Sequence, residues 1–104
     1  MPIGQPNPRF TGYSNFSQGT PKVVSVTTGS TQLLAANSDR LYAQINNNGA
    51  QPIWVQVGAP AAVGRGTRVT PGSMLNFQDN ELYLGEINAI TVSGSIGIDV
   101  IEGV

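Results

Sequence analysis

The chain has 104 residues with a formal net charge of −1, and it contains no cysteine and no histidine. It is long enough for one small domain, and its composition argues against disulfide frameworks, transition-metal sites and the commonest acid–base chemistry. Charged residues make up 11% of the chain, too few for the dense basic patch that nucleic acid requires, and no apolar run approaches a membrane span. We therefore expect a non-enzymatic protein with no cofactor, no nucleic-acid partner and no membrane segment.

Residues 1–21 combine four prolines and three aromatic residues with no acidic residue. Such a segment cannot bury a core of its own, and its prolines disfavour helix. We predict an extended N-terminal arm over 1–21 that lies across a neighbouring subunit or another protein surface. In this arm Arg9 would approach acidic groups, while Phe10, Tyr13 and Phe16 would be aromatic anchors in surface pockets.

Residues 22–104 show short apolar–polar alternations interrupted by turn residues. This pattern predicts an all-β domain, a small antiparallel β-sandwich or jelly-roll-like barrel of seven or eight strands. Later strands are expected around 74–77, 81–84, 87–92 and 96–100. The residues predicted to face inward are Val24, Val26, Leu41, Ala43, Ile45, Ile53, Val55, Val57, Leu75, Phe77, Leu82, Leu84, Ile90, Val92, Ile96, Ile98 and Val100.

Turn residues predict two local connections in this domain. Asn48-Gly49 separates two alternating segments, 41–46 and 53–57, and favours a tight hairpin that pairs them. Thr70-Pro71-Gly72-Ser73 has proline and glycine at the positions that a type II turn requires. Between these turns, the glycine- and alanine-rich stretch 58–66 is expected to be a flexible loop.

Three features were considered as chemical sites. The acids of the C-terminal third could form a glycosidase pair only across a cleft, for which the domain offers little room. Asp79-Asn80-Glu81 could offer oxygen ligands to calcium, but its spacing matches no EF-hand and a polar turn explains it. Gly64-Arg65-Gly66 lacks the longer glycine fingerprint and the helix of a phosphate-binding loop, so a mobile loop tip is expected. No catalytic, cofactor or metal residue is assigned.

Trp54 is the remaining candidate, because it is out of phase with Ile53, Val55 and Val57. Alternation therefore places its indole on the outer face of the sheet, where it could anchor a protein contact, stack on a sugar, or pack beneath the arm or a neighbouring loop. We favour the protein contact. A carbohydrate-binding module would require Trp54, Tyr42 and Tyr83 on one exposed face.

Several short motifs follow one another between residues 23 and 103. An Asn-x-x-Arg step at 37–40 precedes a strand and an Asn-rich turn at 43–47. This turn is followed by Pro-Ile-Trp-Val at 52–55, by the Pro-Gly turn, and by a closing Val-Ile-Glu-Gly at 100–103. In this order the motifs resemble small β-sandwich virion structural proteins of tailed bacteriophages, of the capsid decoration (cement) or head-fibre-base type. The arm departs from the shared pattern.

The resemblance implies a capsid decoration protein that stabilises the head by bridging capsomers through its arm and its β domain. Its partner would be the major capsid protein, and the chain would form a homotrimer at three-fold positions. It would lie on the capsid exterior of the virion after synthesis in the host cytoplasm. A tail or fibre component remains an open alternative.

Overall fold

The computed structural model describes residues 19–78 and 82–104, and within them the chain forms eight strands and no helix. The strands are β1 (Gly19–Val26), β2 (Thr31–Leu34), β3 (Tyr42–Asn46), β4 (Ile53–Val57), β5 (Thr67–Val69), β6 (Met74–Gln78), β7 (Ile87–Thr91) and β8 (Ile96–Gly103). This confirms the predicted all-β class. Of the predicted arm 1–21, the last three residues belong to β1, which pairs with β8 from Gly19 onward.

The strands form two four-stranded antiparallel sheets with the orders β1-β8-β3-β6 and β2-β7-β4-β5. The chain changes sheet at every connection except the one from β4 to β5. Two four-stranded sheets with these orders form an eight-stranded jelly roll. The first and last described strands, β1 and β8, are therefore neighbours, and β8 lies inside its sheet between β1 and β3.

The core lies between the sheets and consists of alternate residues of the inner strands. Seven of the predicted inward-facing residues are fully or almost fully buried there, namely Val26, Ala43, Ile45, Ile53, Val55, Ile98 and Val100. Val24, Leu75, Phe77 and Ile96 pack against this core from partly buried positions. Leu82 is half-buried. The alternating pattern therefore identified most of the core.

Four of the predicted inward residues are exposed instead: Leu41, Val57, Leu84 and Val92. Val57 ends β4 at the open side of the sandwich, where it lines a cleft with Leu75 and Phe77. Leu84 lies in a segment, 82–84, that forms no strand, contrary to the prediction. Leu41 lies just before β3. The exposed positions are thus at or beyond the ends of strands.

The predicted phase of β7 was wrong. Ile87 and Ala89 belong to the core, whereas Ile90 is paired with Trp54 and is buried on the opposite face. All five residues of β7 are buried, since this strand lies inside its sheet and both of its faces are covered. A strand covered on both faces has no polar face, so alternation could not reveal its phase.

The predicted hairpin at Asn48-Gly49 was also wrong, because β3 and β4 belong to different sheets. The φ of Gly49 lies outside the left-handed region that a type I′ hairpin requires. Instead the buried amide of Asn47 donates hydrogen bonds to the carbonyl oxygens of Gln51 at 2.8 Å and Val69 at 2.9 Å. These bonds hold a corner that carries the chain from one sheet to the other.

The predicted turn at 70–73 has the features of a type II turn. Gly72 has a φ of 84°, and the amide of Ser73 donates to the carbonyl oxygen of Thr70 at 3.0 Å. The amide of Gly72 in turn donates to the carbonyl oxygen of Asn47. The turn between β5 and β6 is thereby joined to the corner between β3 and β4.

Candidate functional site

Trp54 lies on the outer face of the β2-β7-β4-β5 sheet, as the alternation predicted. Its neighbours in β4, Ile53 and Val55, are buried in the core, and the indole is half-buried on the other face. β4 is hydrogen-bonded to β5 on one side and β7 on the other. The indole is therefore held on a strand that is supported on both sides.

Arg68 lies directly opposite Trp54 on the neighbouring strand β5. Its side chain is exposed, and its guanidinium carbon is 5.9 Å from the centroid of the Trp54 ring. That separation is within the range of a cation–π interaction. Sequence reasoning missed Arg68, because a three-residue strand is too short to show a period and only the strand register places it beside Trp54.

The loop 58–66, for which the sequence predicts little side-chain volume to pack, covers part of the same outer face through backbone contacts. The amide of Asn88 donates to the carbonyl oxygen of Ala59 at 2.7 Å, and the backbone amide of Ala61 donates to the hydroxyl of Ser30 at 2.8 Å. Ala61 is buried. Arg65 remains exposed near the end of this loop, close in sequence to Arg68.

Polar side chains line β3 on the outer face of the other sheet. A chain of hydrogen bonds runs along it, in which Asn46 donates to Gln44, Gln44 to the hydroxyl of Tyr42, and Tyr42 to Asn76. Beside it, between β1 and β8, lies an open groove of about 340 Å³ lined in part by Val23, Asp99 and Ile101. Val23 is 70% exposed, the largest exposed fraction among the exposed large apolar side chains.

The predicted aromatic residues do not form one platform. Tyr42 lies on one sheet and Trp54 on the other, while Tyr83 packs against the core with its hydroxyl close to Gly58 and Gly85. A carbohydrate-binding platform built from these three side chains is therefore excluded by their positions. Arg9, Phe10, Tyr13 and Phe16 lie outside the described residues, as do Asp79, Asn80 and Glu81.

The most strongly connected charged residue is Arg40, whose side chain is buried just before β3. Its Nε donates to Glu102 at 2.8 Å, Nη1 to the carbonyl oxygens of Tyr83 at 2.6 Å and Gly85 at 3.0 Å, and Nη2 to that of Ala35 at 2.6 Å. Because four of its five N–H donors are engaged by protein groups and its side chain is buried, the guanidinium offers no open site for a ligand. Arg40 is a structural residue.

Asn37 joins the same cluster. Its side-chain amide donates to the Glu102 carboxylate at 3.3 Å, its side-chain oxygen accepts from the amide of Asp39, and its backbone oxygen accepts from the amide of Arg40. The Asn-x-x-Arg step and the closing Val-Ile-Glu-Gly therefore meet in space. Sequence reasoning singled out both motifs but could not show that they form one cluster.

The described residues 19–78 and 82–104 contain no group of three or more acidic, histidine or cysteine side chains that could hold a metal ion. The same part of the chain has no helix that is long and apolar enough to cross a membrane. No family model, curated protein or solved structure matches the chain. Among the described residues, the groove beside β1 and the Trp54–Arg68 pair are the surface features that we consider as candidate functional sites.

Proposed function

We propose that this protein is a non-enzymatic structural protein of a tailed-phage particle, most specifically a capsid decoration protein that bridges capsomers. The observation that carries the proposal is the way in which the N-terminal segment joins the β domain. It runs directly into β1, which pairs with β8 in unbroken register from Gly19 to Val26. A segment that attaches to a neighbouring subunit is effective only if its own end is firmly held.

β1 provides such an anchor. It lies at the edge of its sheet among the described strands, and its first five residues are exposed. β8 is in turn paired with β3 from Asp99 to Gly103. A force on the N-terminal segment is therefore distributed over the hydrogen bonds that join β1, β8 and β3. The exposed edge of β1 remains available for pairing with a neighbouring chain.

The composition and the motifs support the same function. Jelly rolls occur in viral capsid proteins, although the fold alone does not specify a function. Only 11% of the residues are charged, and three of the motifs that resemble those of phage proteins lie at connections of the fold: Asn-x-x-Arg at the Arg40 cluster, the Asn-rich turn at the Asn47 corner, and the Pro-Gly turn. In this proposal the partner is the major capsid protein, and three copies associate around a three-fold axis.

The test is electron microscopy of particles produced with and without this chain. The proposal requires that density of a small β domain disappears from the outer surface of the head, at three-fold positions, when the chain is absent. Loss of density from the tail or a fibre would identify the alternative location. Particles with unchanged density everywhere would contradict a structural role in the virion.

A further inference from the structure

We propose that the outer face of β4 and β5, centred on Trp54 and Arg68, docks on an acidic protein surface. This inference rests on the proposed function, since it specifies the chemistry of the particle surface that receives the β domain. It assigns a second attachment site to the chain, separate from the N-terminal segment. Trp54 supplies the apolar contact and Arg68 supplies the charge.

The position of Trp54 suits an interface anchor. The indole projects from a strand with partners on both sides, next to the buried Ile90, so little conformational freedom would be lost on binding. Tryptophan and arginine are the residues most enriched among those that dominate binding energy at interfaces.

Arg68 complements Trp54 through its contact with the ring. An arginine that lies over an aromatic side chain is oriented by that contact and keeps N–H donors for a carboxylate. A carboxylate on a partner could therefore accept paired hydrogen bonds from a guanidinium already held in place. Bidentate pairs of this kind are stronger and more directional than contacts between flexible surface charges.

The charge distribution indicates an acidic partner. Arg65 and Arg68 are the only charged residues between positions 53 and 78, and both are exposed. Within the described residues the one ion pair joins Arg40 and Glu102, so neither arginine has an acidic partner there. Two arginines are too few for a nucleic-acid site, which requires a dense basic patch. Carboxylates on a protein surface are the matching chemistry.

Acids of the same chain are poor candidates for this partner. Glu102 is paired with Arg40, Glu86 accepts a hydrogen bond from Asn88, and Asp99 accepts one from Asn48. Of the four described acidic side chains, only that of Asp39 accepts no hydrogen bond, so a second copy offers Arg68 few uncommitted carboxylates. A different protein with free carboxylates is therefore the occupant to which we commit.

The experiment compares Arg68→Gln with Ser95→Asp in the full chain. Both residues are exposed and both substitutions lower the net charge by one, but Ser95 lies in the turn between β7 and β8, outside β1, β4 and β5. Binding to particles assembled without this chain is measured over a range of salt concentrations. We expect Arg68→Gln to weaken binding by more than about tenfold, and Trp54→Ala to do the same, with little effect of Ser95→Asp. Wild-type binding should weaken as salt increases.

Circular dichroism establishes that the variants are folded before they are compared. Equal weakening by Arg68→Gln and Ser95→Asp would reduce the effect to net charge and overturn the inference, as would unchanged binding of both Arg68→Gln and Trp54→Ala. Loss of self-association by Arg68→Gln, with particle binding intact, would assign the face to a second copy and overturn it too. Failure of the wild-type chain to bind the particles would instead contradict the proposed function, and the inference with it.

Discussion

The guanidinium of Arg40 and the carboxylate of Glu102 form an ion pair with an Nε–Oε2 distance of 2.8 Å, in which the arginine side chain is fully buried and that of Glu102 is 23% exposed. The pair joins the segment before β3 to β8, and the same arginine binds the carbonyl oxygens of Tyr83 and Gly85. Two segments without regular secondary structure, around Ala35 and Tyr83, are thereby attached to one side chain.

Replacement of Arg40 by Met should therefore destabilise the domain by roughly 3–5 kcal/mol, because it leaves Glu102 and three carbonyl oxygens without their donor. Urea denaturation followed by circular dichroism measures the change. The matched control is Arg65→Met, an exposed arginine whose loss should alter the free energy of unfolding by less than about 0.5 kcal/mol. Similar effects of the two substitutions would show that the buried cluster does not stabilise the fold.

Gly66 and Gly64 provide a second matched pair. Both have positive φ, 82° and 84°, but a Cβ at Gly66 would collide with the carbonyl oxygen of Val55, whereas a Cβ at Gly64 would meet nothing. Both substitutions to Ala carry the backbone strain of about 1 kcal/mol, and only Gly66→Ala adds the collision. We expect a clearly lower melting temperature for Gly66→Ala than for Gly64→Ala. Equal melting temperatures would mean that the close approach of the loop to β4 is not present in solution.

Core truncations should distinguish the confirmed inward residues from the incorrectly predicted ones. Ile45→Ala and Ile98→Ala remove fully buried side chains and should each cost roughly 2–5 kcal/mol of unfolding free energy. Val92→Ala removes a side chain that is 49% exposed and should cost less than about 1 kcal/mol. Equilibrium unfolding in urea tests all three variants. A Val92 variant as unstable as the isoleucine variants would contradict the exposed position that the structure gives to Val92, directly after β7.

Two deletions test the boundary of the N-terminal arm. Deletion of residues 1–18 leaves β1 intact, so the free energy of unfolding should be unchanged while attachment to particles weakens. Deletion of residues 1–21 also removes the pairing of Gly19, Thr20 and Pro21 with β8 and should cost about 1 kcal/mol more. Undiminished decoration of particles by the shorter deletion would place all attachment in the β domain.

Much of the fold could be predicted from alternation and turn residues. The inward residues of β3 and β8, the outward position of Trp54 and the Pro-Gly turn all follow from local patterns. The assignment of β3 and β4 to different sheets could not be predicted in this way, because Asn48-Gly49 is compatible with a hairpin as well as with the corner that the buried Asn47 stabilises. Local sequence does not distinguish these two, since the deciding contacts of Asn47 include Val69, which is distant in the chain.

Local sequence patterns were equally limited for the candidate docking surface on the outer face of β4 and β5. The outward position of Trp54 could be predicted from the alternation in β4, but its pairing with Arg68 depends on the register between β4 and β5. The Arg40 cluster likewise joins residues from the beginning and the end of the domain. Contacts of this kind depend on which strands become neighbours in the folded domain, and local patterns in the sequence do not specify that arrangement.

The adjacency of β1 and β8 has a consequence for the order in which the domain can form. β1 has no other strand partner among the described residues, and the partner of Gly19 is Gly103. During synthesis β1 therefore emerges from the ribosome long before the strand on which it docks, and its sheet cannot be completed until Gly103 has been made. Pairing between such distant segments is slow. The exposed apolar Val23 must consequently remain soluble without its strand partner until the segment around Asp99 has been made.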